Sequence, residues 1–483
     1  MTALRVESTT LSDIEIAALP AQHAALAVRH WLALPVILAG TFMVTLDFFI
    51  VNVAIPSIQR DLHADSAAIE WLVAGYGLAY AALLITGGRL GDLYGRRRSF
   101  GAGLAVFTLA SAACGLAPGA AWLIGARVAQ GVGAALLAPQ VLAIIGTIYV
   151  GADRARAFAA YGVVLGIASA CGQVIGGLLI QLNLLGLGWR GCFLVNLPVG
   201  IAALLLAPIA VPESRASSGS RLDVGGAALV TLAIASLLLP LIEGRARGWP
   251  AWTWVCFAIA MALIAACVAQ QRRRSARGLA PLVDPSLFQD RGFATGLLAA
   301  LTLFGGVASS FFVLALYLQQ GRGLAPLPSG LVFSTLALAF TVTSLSAGRI
   351  ARRLGRPPLV PGALGMAIGL GALALAVERI GVRGSVAWLL VPLLIDGGGM
   401  GLVMAPLAAT VLAGLPGRHA GAAAGVLVTA QQFANALGVA LVGLVYFGAL
   451  PQGGQAGAFV AGVACLAALA LALAALVWRL QRG

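Results

Sequence analysis

Gly88-Arg-Leu-Gly-Asp92-Leu-Tyr-Gly95-Arg96 closes one apolar stretch of this chain, and Gly348-Arg-Ile-Ala-Arg352-Arg-Leu-Gly355-Arg356 closes another, 260 residues further on. Both place Gly-Arg before an aliphatic residue and a second Gly-Arg at the same spacing, so the chain carries an internal repeat. A helix needs about 20 mostly apolar residues to cross a bilayer. Runs of that kind occur near 32–54, 71–90, 99–117, 121–146, 157–181, 190–210 and 224–242. A second set lies near 252–270, 293–319, 329–348, 357–377, 386–411, 421–447 and 457–478, which makes fourteen. Each repeated segment ends the second run of its half. The expected architecture is therefore an all-α membrane protein: two six-helix bundles, 32–210 and 292–483, with an inserted helix pair and a basic loop at 211–291. Repeated bundles that rock about a central site are the usual build of secondary transporters.

Composition supports a bilayer as solvent. Of the 483 residues, 60% are hydrophobic and only 10% charged, against about 25% charged in a soluble domain. The 62 glycines fall inside apolar runs, where small residues let helices approach closely. The net charge of +14 comes entirely from 30 arginines strung between those runs, not from the clustered patch that nucleic acid requires. The six cysteines have no CxxC spacing and suggest neither a metal site nor a disulfide framework. Residues 1–31 carry Glu7, Asp13 and Glu15 where a signal peptide would be basic, and read as a cytoplasmic tail.

The arginines also give an orientation. With the N-terminus inside, 22 of the 30 fall on the side of both termini; Arg60, Arg190, Arg245, Arg247, Arg322, Arg379 and Arg383 fall opposite, and Arg127 lies within a span. The positive-inside rule puts the richer side in the cytoplasm, with both termini there, in a cell membrane. Trp71, Trp122, Trp189, Trp252, Trp254 and Trp388 open spans at the other face, while Trp31 and Trp478 mark the inner one, as rings at headgroup level should.

Several motifs resemble those of the major facilitator superfamily, and specifically its fourteen-span drug–proton antiporters. The segment from Gly88 through Arg89, Asp92 and Gly95 to Arg96 is similar to that superfamily's loop between spans two and three. Leu46-Asp47-Phe-Phe-Ile-Val-Asn52-Val-Ala-Ile-Pro56 resembles the first-span motif, with Phe49 where Thr is usual. Arg127-Val-Ala-Gln130-Gly131-Val-Gly133 resembles the fourth-span motif, and Trp189 through Asn196 to Pro198 the beginning of span six. Gly421 to Gly425, with Gln431-Gln432 and Gly438, resembles span thirteen. The span-five antiporter signature keeps Gly166, Gly172, Gly176 and Gly177 but has Gln173 where Pro is usual, which leaves the coupling mode open. The resemblance implies export of small amphipathic compounds by a monomer that uses the proton-motive force and no cofactor.

Ionisable residues at membrane depth cost at least about 2.5–3.5 kcal/mol each and usually mark function or a pair. Asp47, Asp396 and Arg127 are the ones well inside spans. Asp47 is either a proton site or half of a fixed pair with Arg127; the resemblance links both to proton coupling. Asp396, beside Gly397 and Gly398, is either a second proton or cation site or a hydrogen-bonded packing residue. Glu70, next to Trp71, reads as a solvated span end. Asn52, Gln130, Gln173 and Gln431 either line a cavity or bond helix to helix at about 0.6 kcal/mol each. By resemblance Asp92 latches a cytoplasmic gate, through Arg154 or Arg156; the second copy has Arg352 instead. No P-loop, HExxH or GxSxG occurs, and no soluble stretch is long enough for a catalytic domain, so an ATP-driven pump or an enzyme is not expected. The rivals are a facilitator or symporter of the same fold for a metabolite or siderophore, and a non-transporting sensor.

Overall fold

The computed structural model describes residues 12–215, 223–277, 285–413 and 417–482. Residues 1–11 of the expected tail, and parts of the basic loops at 215–221 and 271–291, lie outside these. Every element among the described residues is helical. The first group comprises α1 (Ser12–Asp61), α2 (Ser66–Tyr94), α3 (Arg96–Gly115), α4 (Ala120–Ile148), α5 (Gly151–Leu182), the single turn α6 (Gly191–Leu194) and α7 (Asn196–Ala210). A hairpin follows, α8 (Val224–Ala246) and α9 (Ala251–Ala276). The second group is α10 (Arg291–Leu316), prolonged by a π turn to Gly321, then α11 (Pro326–Leu354), α12 (Leu359–Ile380), α13 (Ala387–Ala413) and α14 (Gly417–Leu480).

Local chemistry sets the ends of these helices. The Asp65 and Asp290 carboxylates accept from the backbone N–H of Ala68 and Phe293, each at 2.7 Å, capping α2 and α10. Pro326 opens α11, where its missing N–H costs nothing. Between α2 and α3 the chain turns at Gly95 with φ of 111°, a conformation open to glycine alone. At the crossing of α3 and α4, a Cβ on Gly133 would lie 2.5 Å from the Phe107 nitrogen, so backbone packs on backbone there.

Twelve stretches among the described residues are long and apolar enough to cross a membrane. The expectation of fourteen exceeds that by two, at α3 and at α14. The 64 residues of α14 would extend about 96 Å as one straight rod, some three bilayer cores. They do not run straight. Gly454, just after Pro451, leaves helical geometry at φ 58°, ψ −164°. Beyond it the chain doubles back, so that Gly462 faces Val442 and Tyr446.

Within the first group α4 packs on α2 and α3, and α1 on α5 and α7; within the second, α14 packs on α10 and α12, and α13 on α11 and α12. The groups meet along two seams, α5 against α11 and α2 against α14. The hairpin covers the second seam. Leu238 and Ile242 of α8 bury with Ala67 and Ala74 of α2 and with Ala436 and Ala440 of α14. Trp71 Nε1 donates to Glu243 Oε1 at 3.1 Å across the same contact.

Candidate functional site

The apolar runs of α1, α3, α4 and α7 bring one polar knot into the middle of the first group. Asp47, about halfway along the apolar part of α1, is wholly buried, and Arg127 of α4 is 1% exposed. Arg127 Nη1 donates to Asp47 Oδ2 and, at 2.8 Å, to Gln130 Oε1. Gln130 Nε2 donates to the other carboxylate oxygen at 2.8 Å, and to Ser111 Oγ at 3.1 Å. Asn196 Nδ2 reaches both Asp47 Oδ1 (3.4 Å) and Ser111 Oγ (3.0 Å), and Ser111 donates to the Phe193 carbonyl at 2.9 Å. The guanidinium stacks 4.3 Å from the Tyr76 ring centroid, and its Nε donates to the Leu72 carbonyl at 3.2 Å. Charge, hydrogen bonds and a π face are all supplied by protein, which is what a buried ion pair needs to persist.

The second group holds one buried acid among the described residues, and its setting differs. Asp396 of α13 is 2% exposed, and its Oδ1 has no protein hydrogen-bond partner. It borders a narrow crevice with Thr302, Ser310, Met366, Met400 and Leu466, with room for about one water.

Between the groups, α5 presents its glycines in two directions. A Cβ on Gly172 would lie 2.9 Å from Phe49 Cβ, and one on Gly176 would lie 2.7 Å from Ile50, so these pack on α1. A Cβ on Gly177 would lie 2.7 Å from the Pro326 oxygen, so this one packs on α11. Near the same end Gln319 Nε2 donates to the Val53 carbonyl (2.9 Å) and Gln320 Nε2 to Gln59 Oε1 (2.6 Å), joining the groups. At the arginine-rich end, by contrast, Cβ atoms on Gly162 and Gly166 of α5 and on Gly348 of α11 would meet nothing within 4 Å. Among the described residues the seam is closed at one end, and these three glycines face open space at the other.

The model of the Major Facilitator Superfamily matches residues 37–439. The chain belongs to that superfamily. The probable actinorhodin transporter of Streptomyces coelicolor is 39% identical over 435 residues, covering 89% of this chain and 75% of that protein. The multidrug resistance protein Stp of Mycobacterium tuberculosis is 34% identical over 408 residues, covering 84% and 74%. A solved bacterial homologue of the human lysosomal transporter Spinster, in an inward-facing and unoccupied conformation, superposes with a TM-score of 0.65 over 94% of this chain and 97% of that one. At 16% identity it shows the fold alone.

In this major facilitator protein the expected site residues thus divide. Asp47, Arg127 and Gln130 come together; Asp396 stands apart from them in the other group. Asn52 is buried but spends its amide on its own helix, donating to the Phe48 and Phe49 carbonyls at 3.1 and 3.3 Å. Gln173 lies at the α5–α11 seam, and Gln431 is half-buried on α14. One expectation is corrected. Glu70 is 1% exposed, not solvated, because α14 lies over it: a Cβ on Gly443 would sit 3.1 Å from its carboxyl carbon. In this conformation Asp92 does not reach Arg154 or Arg156. It pairs with Arg96 at 3.1 Å, one helical turn away, while Arg156 pairs with Asp153 at 3.1 Å. Arg96 also donates to the Ala143 carbonyl (3.4 Å) and to Thr147 Oγ1, tying the loop to α4. Arg89 and Gly88, at the end of α2, are half-buried beside it.

Three contributors were not singled out from sequence. Ser111 and Tyr76 carried no signal, since a lone small hydroxyl or a tyrosine in an apolar span is ordinary. Glu213 had none either, yet it accepts from the Arg97 N–H at 3.1 Å and lies against Gly95.

Proposed function

We propose that this protein exports drug-like or antibiotic compounds by proton antiport through alternating access. Export is favoured by relatives named for transport of actinorhodin and for multidrug resistance. The observation that carries the coupling is the Asp47–Arg127 pair, buried at 0% and 1% exposure among α1, α4 and α7. A proton on Asp47 cancels the charge that holds Arg127, and a buried charge so abandoned must find new partners. Loading and unloading one proton therefore changes how α1 grips α4. Asp396, an acid with an oxygen unpartnered by protein, is placed to take a proton or a cationic group of the cargo in the other half.

The same reading takes α3 and the two arms of α14 as crossings, giving fourteen, with the arginine-rich end and both termini in the cytoplasm of a cell membrane. The seam closed at the opposite end then makes this an inward-facing conformation. The protein works as a monomer, with no cofactor beyond the proton gradient. A second reading, a facilitator of the same fold with another coupling, is favoured by Gln173 in place of the signature proline. Proteoliposomes decide between them: substrate-dependent proton release by wild type, lost in Asp47→Asn, is the expected result. Substrate movement without proton release would sustain the second reading.

A further inference from the structure

Gln173 of α5 follows Gly172, the residue on which Phe49 of α1 packs. Gly172 and Gly176 turn one face of α5 onto α1, with Gly172 against Phe49. Gln173 lies one turn before Gly177, hence on the face that meets α11. Gly330 of α11 confirms the contact, since its Cβ would lie 2.5 Å from the Gln173 carbonyl oxygen. The Gln173 side chain is buried, at 1% exposure, and neither its Oε1 nor its Nε2 has a protein partner. Ser329, adjacent to Gly330 and wholly buried, also has an unpartnered hydroxyl. Gln319, on the same closed end of the seam, leaves its Oε1 unpartnered. Below them Phe49 meets Phe311 edge-on at 5.0 Å, and Phe311 stacks on Phe333 at 5.5 Å and 9°. That stack joins the first group to the second.

Native interiors rarely leave so many polar atoms unsatisfied in one place, and such groups call for an explanation beyond packing. The seam they occupy is the one that must part when the transporter opens to the other side. We infer that Gln173, with Ser329, determines specificity: as the seam parts, the amide and hydroxyl line the opened path and bond carbonyl or hydroxyl groups of the cargo. The faces of Phe49 and Phe311 that this parting uncovers take its planar ring. The favoured cargo is then a flat aromatic compound bearing oxygen functions. This rests on the export reading above. The seam closed without cargo leaves donors and acceptors unpaired, and a site built that way discriminates by hydrogen bonding far better than by apolar shape.

The test uses the full-length protein in everted vesicles, with two flat dyes: a hydroxyanthraquinone, and ethidium, which carries no oxygen. Gln173→Leu removes the hydrogen bonds at nearly constant volume. The expected result is a rise in KM for the hydroxyanthraquinone of about five- to tenfold, with ethidium changed less than about twofold. Ser329→Ala should give the same selective loss, and it replaces Gln173→Leu if that variant fails to insert. Equal loss for both dyes, or loss for neither, overturns the inference. If wild type moves neither dye under a proton gradient, the export reading itself fails and takes this inference with it.

Discussion

Replacing Asp47 by Asn is the most direct probe of the buried knot. The carboxylate accepts from Arg127, from Gln130 at 2.8 Å and from Asn196 at 3.4 Å. An amide in its place offers one oxygen where two were used, turns a donor toward other donors, and leaves the guanidinium buried without a counter-charge. Breaking a buried pair on one side costs about 3–5 kcal/mol. That is a fall of roughly 150- to 5,000-fold in the folded-to-unfolded ratio. Removing both charges is different in kind: Asp47→Asn with Arg127→Gln leaves neutral groups that can bond one another, and should recover most of the loss. Thermal unfolding in detergent, followed by tryptophan fluorescence, supplies the double-mutant cycle. Proton release from proteoliposomes supplies the functional half, in which the double variant should be stable yet uncoupled. A single variant as stable as wild type, or a double variant no better than the single, would refute the energetic argument. Full proton-coupled export by the double variant would reduce the pair to scaffolding.

Other substitutions test other parts of the structure. Asp396→Leu should raise thermal stability in detergent while ending export of cationic substrates, because it removes an acid buried without a protein partner; a drop in stability would show that the carboxylate is a packing element. Gly95→Ala forces a side chain into a glycine-only conformation and 2.6 Å from Glu213 Oε1, at a cost of about 1–3 kcal/mol, read as a lower unfolding temperature; an unchanged transition would refute it. Gly177→Leu should keep α5 from closing on Pro326. A cysteine pair placed at Gln59 and Gln320, whose amides bond at 2.6 Å, should then cross-link poorly in the variant and well in its absence; equal cross-linking would show that the seam closes regardless.

The all-helical membrane fold was legible because it follows from apolar runs and interruptions, which are local. Asp47 and Arg127 stood out for the same reason, as charges with no business in hydrocarbon unless paired or used. What sequence withheld was which side chains meet. Glu70 sits at a span end by hydropathy, and only the packing of α14 over α2 buries it. Asp92 pairs here with Arg96, one turn away, a partner that spacing alone allowed but did not single out. The break inside α14 falls between the runs read at 421–447 and 457–478, where Pro451-Gln-Gly-Gly454-Gln interrupts the apolar pattern and Gly454 leaves helical geometry. Ser111 and Asn196 enter the knot through geometry that six helical segments, α1 to α4, α6 and α7, must fix together.

The hairpin of α8 and α9 has a mechanical consequence. It touches both sides of the α2–α14 seam, through Leu238 and Ile242 and through the Trp71–Glu243 bond, and among the described residues no such hairpin covers the α5–α11 seam. Two bodies stitched along one edge pivot about that edge. In the alternating-access cycle proposed above, displacement would then be greatest on the unstitched side, and a bulky passenger would gain most clearance along α5 and α11.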